Sequence, residues 1–298
     1  MKLAIKSDNV GWVLDSIKED YKIYSNLEII EENRKPDLTW CLNFWALSNC
    51  NFANNVVAQI HHINTDKINE YNFDILKKTK SCIVCNKKML EYVSRIYDGP
   101  VLHLPYWLLS SAMKPIRNNT LKELLSKDSE ILIGSFQKDG EGKTGGPKMI
   151  KGPDIFIDIV KILNKRHNIK VILSGFCRDW VISQLKQNGI KYEYFPMYGN
   201  MGELYNCLDW YFVTSRNEGG PQAVLEAPYR MVKILSKNVG IADEVLHPNC
   251  LCNTVDDFVA KFETKYDYID YNFAKSEART PEKIIPMWDN FFLSQVNK

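Results

Sequence analysis

The chain has no long apolar run. Nothing in its 298 residues approaches the roughly 20 consecutive apolar residues of a bilayer-crossing helix, so an integral helical span is excluded. The start, Met1-Lys2-Leu3-Ala4-Ile5-Lys6, reads as a short strand and not as a secretion signal. Charge of one sign is also lacking. A net charge of +2 gives no general surface for polyanions, and nucleic acid is not an expected partner. The eight cysteines follow no paired framework, which favours a reducing compartment and a cytoplasmic protein, with peripheral membrane association left open. The one Cys-x-x-Cys, Cys82-Ile83-Val84-Cys85, sits in a strand-like apolar run that would point the two thiols to opposite faces. With no second cysteine pair nearby, it reads as buried thiols and not as zinc or redox chemistry. No G-x-G-x-x-G accompanies Gly11 at the entrance to the first helix, which argues against a nicotinamide dinucleotide site. No Asp-x-Asp lies at a strand end, and no Ser or Cys nucleophile sits on a strained turn. His61 and His62 are adjacent, a spacing that rarely puts both on one metal, so no metal site is expected.

What is present is an alternation of short strands and helices without internal repeats. In the first part, Lys2 to Ile5, Leu38 to Leu42, Val56 to Ile60, Ser81 to Val84 and Val101 to Leu104 read as strands. Val10 to Lys18 reads as a helix, and Asn86 is placed to cap a helix reaching Tyr97. The segment 110–120 is polar, carries Pro115 and lacks periodicity, which predicts an interdomain linker there and domains at 1–118 and 119–298. In the second part the strands are 131–134, 170–173, 192–195, 210–213 and a run near 232–235. Helices are predicted at 153–165, 179–187, 201–207, after Pro221, and near 241–246, with a long Gly-rich loop between Gly134 and Gly152. Strictly alternating elements imply α/β domains with parallel, doubly wound sheets. From Thr280 onward, Ile284, Ile285, Trp288, Phe291 and Phe292 share one helical face. That helix must dock, and a return to the first domain is expected, with a kink at Pro286.

Ligands in such sheets bind beyond the C-terminal strand ends, and the chemically suggestive residues fall there. The run Ser215-Arg216-Asn217-Glu218-Gly219-Gly220-Pro221-Gln222-Ala223-Val224-Leu225-Glu226-Ala227 follows a strand and enters a helix. Its Gly-rich turn offers backbone N–H groups and a positive helix end to a phosphate. Glu218 and Glu226, separated by seven residues, can accept hydrogen bonds from hydroxyls, and Glu226 shares a helix face with Gln222, lining a cleft and not the core. Phosphate plus polyol describes a nucleotide sugar; two surface carboxylates are the bland alternative. Lys148 and Lys151 precede the helix at Pro153, where an anion between them would offset the repulsion with the helix dipole, unless the loop is simply solvated. In the first part, Gly11 enters the first helix as either a turn residue or a close approach to a diphosphate. His61 and His62 follow the strand ending at Ile60, and either can be structural.

With these residues in view, the chain resembles retaining GT-B glycosyltransferases, specifically glycosyltransferase family 4. The resemblance rests on Ser215 to Pro221 with Val224-Leu225-Glu226-Ala227, supported by Gly134, Lys151-Gly152, Leu173-Ser174-Gly175 and Leu204-Tyr205. It spans about residues 130 to 247 and is loose over the first 118. It implies two Rossmann-like domains facing a central cleft, with a C-terminal helix crossing back to the first. It further implies that Glu218 holds donor-sugar hydroxyls, Gly219 and Gly220 serve the sugar or phosphate, and Glu226 accepts from the ribose. Lys151, with Lys148, would neutralise the diphosphate. The base would lie between Phe195 and Tyr198, at Met197, and His61 or His62 would approach the sugar. Two departures from the family pattern are Ser135, where a cation usually stands soon after the strand, and Pro228 inside the helix of Glu226, which should bend or end it.

The activity so implied is metal-independent transfer of a hexosyl group, with retention of configuration, from a nucleoside diphosphate sugar to a glycan, lipid or protein hydroxyl. The donor, with uridine as the default base, is a substrate, and no cofactor is expected. A nucleotide-sugar epimerase of the same architecture and a non-catalytic nucleotide-sugar binding protein are the alternatives.

Overall fold

The computed structural model describes residues 1–7, 13–53, 55–117, 120–126, 129–141 and 146–296. They form two compact units, Met1–Ser110 with Arg279–Lys298, and Ser111–Ala278.

Unit 1 runs β1 (Lys2–Lys6), α1 (Val13–Tyr24), β2 (Glu28–Ile30), β3 (Leu38–Cys41), β4 (Val56–Ile60), β5 (Ser81–Val84), α2 (Lys87–Ile96) and β6 (Val101–His103). The strands form a six-stranded parallel sheet in the order β2-β1-β3-β4-β5-β6. Every residue of β3, β4 and β5 is buried, the expected state of central parallel strands covered on both faces. Asn86 caps α2, its Oδ1 accepting from Met89 N at 2.8 Å. The Cys82 thiol is buried and pushed up to about 12 by desolvation, and all eight cysteines are present as thiols and not as disulfides. Three turns of 3-10 helix, Phe44–Asn49, Thr65–Glu70 and Phe73–Lys78, occupy ground that periodicity leaves blank.

Unit 2 opens with α3 (Ser110–Met113) and α4 (Leu121–Leu125), followed by β7 (Ile131–Phe136), β8 (Gly140–Glu141), β9 (Gly146–Pro147), α5 (Pro153–Asn164), β10 (Ile169–Ser174) and α6 (Asp179–Gln187). It continues through β11 (Tyr192–Phe195), α7 (Met201–Cys207), β12 (Trp210–Val213), α8 (Ala223–Tyr229), β13 (Lys233–Lys237), α9 (Ala242–Val245), β14 (Leu251–Cys252), α10 (Val255–Glu263) and α11 (Ile269–Glu277). Its six-stranded sheet is parallel throughout, in the order β11-β10-β7-β12-β13-β14. Counted within the unit this is 3-2-1-4-5-6, the Rossmann order, and it reverses direction between β7 and β12. The segment read as one long loop after Gly134 instead contains the antiparallel pair β8–β9 and a 3-10 turn, Met149–Lys151. The helix α8 stops at Tyr229, one residue past Pro228, and closes at Met231, whose φ of +58° is left-handed, with Val232 N donating back to Ala227 O at 3.0 Å.

The chain then returns to unit 1 as α12 (Pro281–Val296). The helix continues past Pro286, which sits inside it as its sixth residue. Its apolar face enters the unit 1 core: the Trp288 ring lies 5.2 Å from Trp40 and 5.4 Å from Trp107, and its Nε1 donates to Pro105 O at 3.0 Å. Asp289, buried beside them, accepts from Tyr21 Oη, from Ser25 Oγ at 2.7 Å and from Asn26 N at 2.8 Å. Among the described residues no helix is long and apolar enough to cross a membrane.

Candidate functional site

The point where a doubly wound sheet reverses leaves a crevice at the C-terminal strand ends, because the connections on either side run to opposite faces. In unit 2 that point lies between β7 and β12, and the residues following these two strands meet there. Gly152 joins them. Its φ of +62° is left-handed, and a Cβ at this position would stand 2.0 Å from the Thr214 carbonyl oxygen, so the two segments approach to a distance only glycine permits. Thr214 Oγ1 donates to Gly152 O at 2.9 Å, and Arg216 N donates to Ile150 O at 2.8 Å. The Arg216 guanidinium closes the outer side, reaching Met149 O at 2.6 Å and both Asp154 carboxylate oxygens at 2.8 and 2.6 Å.

This stitching brings Lys151 and Glu218 together across 67 residues of sequence. Lys151 Nζ lies 2.6 Å from Glu218 Oε1, and Ser215 Oγ donates to the same oxygen at 2.8 Å. Lys148 is nearby. Its ammonium is held below the usual lysine range, first by burial and then by the like charge of Lys151, with Lys138 adding to the effect and Glu218 and Glu141 opposing it. Lys151 thus pairs with Glu218 directly, while Lys148 and Lys138 add positive charge that Glu141 offsets in part.

Glu226 takes a different position from the one its spacing suggests. It is buried, and its Oε2 accepts from Tyr205 Oη at 2.8 Å. Desolvation pushes its carboxyl up to about 7, with the Tyr205 hydrogen bond working the other way. Tyr205 in turn packs on Tyr211 and Phe136, and Phe136 N donates to Tyr211 Oη at 2.8 Å, so this buried network ends at the tip of β7. Gly219 is buried and Gly220 partly so at the turn into α8. Met197 is 75% exposed beyond β11.

In unit 1, both ring nitrogens of His61 are engaged. Leu42 O can only accept, so Nε2, 2.6 Å away, carries the proton and Nδ1 accepts from Tyr106 Oη. Burial drives the imidazole down to about 4, and it stays neutral at physiological pH. His62, next to it, is exposed. Gly11 lies outside the described residues.

Two residues of this region escaped the sequence reading. Phe176 is 53% exposed just beyond β10. The register pairs Ser174 with Phe195, so Phe176 and Met197, each two residues further on, stand at neighbouring strand ends. An aromatic three residues past a predicted strand is the available signal. Arg178 is fully buried at the ends of β7 and β10. No local pattern announces a charge whose partners lie some 40 positions upstream.

No family model matches the chain, and no curated protein matches it by sequence. Solved structures do. The Anabaena protein HepE in complex with UDP-glucose superposes with a TM-score of 0.75 at 14% identity, over 99% of each chain. Sucrose-phosphate synthase from Thermosynechococcus elongatus gives 0.68 at 10% identity, over 91% of this chain and 81% of that one. TarM of S. aureus, as a mutant in complex with UDP, gives 0.65 at 14% identity, over 88% and 55%. These likenesses show the fold: two Rossmann-like units of the GT-B type.

Proposed function

We propose that this chain is a retaining, metal-independent GT-B glycosyltransferase of the family 4 kind, which moves a hexosyl group from a nucleoside diphosphate sugar to a hydroxyl acceptor. The observation that carries this reading is the Lys151–Glu218 pair, with Lys148 beside it, at the reversal point of a Rossmann-ordered sheet. Support comes from structural neighbours that hold UDP or UDP-glucose, which makes UDP the first donor nucleotide to try.

The chemical demand is on the leaving group. As the glycosidic bond breaks, negative charge builds on the diphosphate and the sugar takes on oxocarbenium character. Lys151 and Lys148 would stabilise the diphosphate, and removing one such contact costs about 3 kcal/mol of barrier in comparable sites. An incoming diphosphate would share or replace Glu218 as the partner of Lys151, which frees the Glu218 carboxylate, still oriented by Ser215, to accept from sugar hydroxyls. Gly219 and Gly220 would serve the sugar and phosphate from the turn. Glu226, whose Oε2 is held by Tyr205, would offer its other carboxylate oxygen to the ribose, and Met197 and Phe176 would flank the base. Glu218 is not cast as a covalent nucleophile; the leaving phosphate would help deprotonate the acceptor on the same face. Of the two histidines, His62 is the exposed one, whereas His61 is held at both ring nitrogens.

The test is a panel of nucleotide sugars, with and without acceptors, on the wild-type chain and Glu218→Ala. Acceptor-dependent release of nucleoside diphosphate that falls about 100-fold or more in the variant is expected. Unchanged turnover removes Glu218 from the site. Donor turnover without any acceptor would indicate an epimerase, and binding without release a non-catalytic binder.

A further inference from the structure

Arg178 is 1% exposed and Asp139 2%, a charged pair where neither side chain can reach a ligand in solvent. Its geometry is specific. Arg178 Nη1 donates to Ser135 O at 2.7 Å, to Gln137 O at 3.1 Å and to Ser174 O at 3.1 Å; Nη2 donates to Ser135 Oγ at 3.0 Å; Nε stands 2.9 Å from Asp139 Oδ1. One guanidinium therefore ties the tips of β7 and β10 to the segment that leaves β7. The backbone there is strained to suit. Cys177, just before Arg178, has a φ of +58°, and Gly175 has a φ of +99° with no room for a Cβ against Gln137 O.

The pinned segment carries the lysines. Lys148 N donates to Asp139 O at 2.7 Å, Gln137 Nε2 donates to Lys151 O at 3.2 Å, and Lys151 N donates to Lys148 O at 2.8 Å. The chain of contacts runs from Arg178, through Gln137 and Asp139, to both cations of the candidate phosphate site. A buried ion pair is weak as a device for stability alone, since desolvation offsets most of the attraction, but it fixes geometry.

We infer that Arg178 is a positioning residue for nucleotide binding: it does not touch the donor, but fixes the loop on which Lys148 and Lys151 meet the diphosphate. The inference rests on the nucleotide-sugar reading above. It also gives a role to the cation that meets Ser135 at the end of β7: the guanidinium comes from Arg178, just before α6, and works on the loop from within.

The experiment is calorimetric titration of the full chain with UDP, in a double-mutant cycle between Arg178→Met and the pair Lys148→Ala/Lys151→Ala. Arg178→Met should weaken UDP on the order of 10- to 100-fold, the scale set by an ångström of misplacement. Arg178→Lys, which keeps the charge beside Asp139 but loses the fork, should recover part of that loss. In the background lacking both lysines, Arg178→Met should weaken UDP no further, because the groups it positions are gone. Should Arg178→Met fail to fold, Asp139→Asn releases the loop from the other side and should show the same coupling at smaller size. Full additivity with the lysine variants, or wild-type affinity in Arg178→Met or Asp139→Asn, overturns the inference and leaves the nucleotide-sugar reading intact. A wild-type chain that binds no nucleoside diphosphate rejects that reading, and the positioning role with it.

Discussion

Glu226 should make this protein less stable as the pH rises, and Glu226→Gln should abolish the effect. In the folded chain its carboxyl is pushed from 4.5 to about 7 by burial. An acid with a raised folded-state pKa holds its proton in the native state where the unfolded state has released it. The unfolded chain then binds fewer protons, so stability falls with rising pH. The sign fixes the window: no penalty below about pH 4.5, growth between about 4.5 and 7, and the full penalty above about 7. At about 1.36 kcal/mol for each tenfold change in proton affinity, the full penalty is roughly 3 kcal/mol. Gln cannot ionise and can still accept from Tyr205, so Glu226→Gln should match the wild type near pH 4.5 and exceed it by up to about 3 kcal/mol at pH 8. Urea unfolding across that range reads this directly. If Glu226 also receives the ribose hydroxyls, the same variant should bind UDP more weakly while being more stable, a trade that functional sites commonly show. Parallel pH profiles for the two proteins would refute the reasoning.

Two further substitutions probe the framework. Gly152→Ala places a methyl against the Thr214 carbonyl at a left-handed φ, and should cost about 2 kcal/mol or more in urea unfolding as well as UDP affinity; wild-type values for both would disprove the close approach. Trp288→Ala removes the indole that α12 lodges between Trp40 and Trp107, and should destabilise by about 3–5 kcal/mol, seen as a lower urea midpoint; a shift under about 1 kcal/mol would mean α12 contributes little to unit 1.

Much of the fold was legible because local chemistry and tertiary demand agree. The helix Asp179–Gln187 and the strands Tyr192–Phe195 and Trp210–Val213 stand where periodicity puts them, and Asn86 caps as a short polar residue before a helix should. The three-residue edge strand Glu28–Ile30 was not legible, since it buries too little to show a pattern. The capping box of Thr254 and Asp257, which opens α10, was written in the sequence and passed over. At the site, the identities of Glu218 and Lys151 could be read, but their pairing could not. It depends on Gly152 meeting Thr214 across the sheet reversal, a relation that no spacing encodes. Glu226 shows the limit of helical periodicity: a shared face with Gln222 does not say whether that face meets solvent or, as here, Tyr205. Arg178 was invisible for the same reason, since three of its five partners are backbone carbonyls, which every residue carries, and the other two lie some 40 positions upstream.

A crystal structure of the chain grown with UDP-glucose would decide the matter. The diphosphate should lie against the Lys148 and Lys151 ammonium groups beyond β7 and β12, with the Glu218 carboxylate turned to the glucose hydroxyls. A nucleotide bound elsewhere, or a Lys151–Glu218 pair left undisturbed beside an ordered ligand, would contradict it.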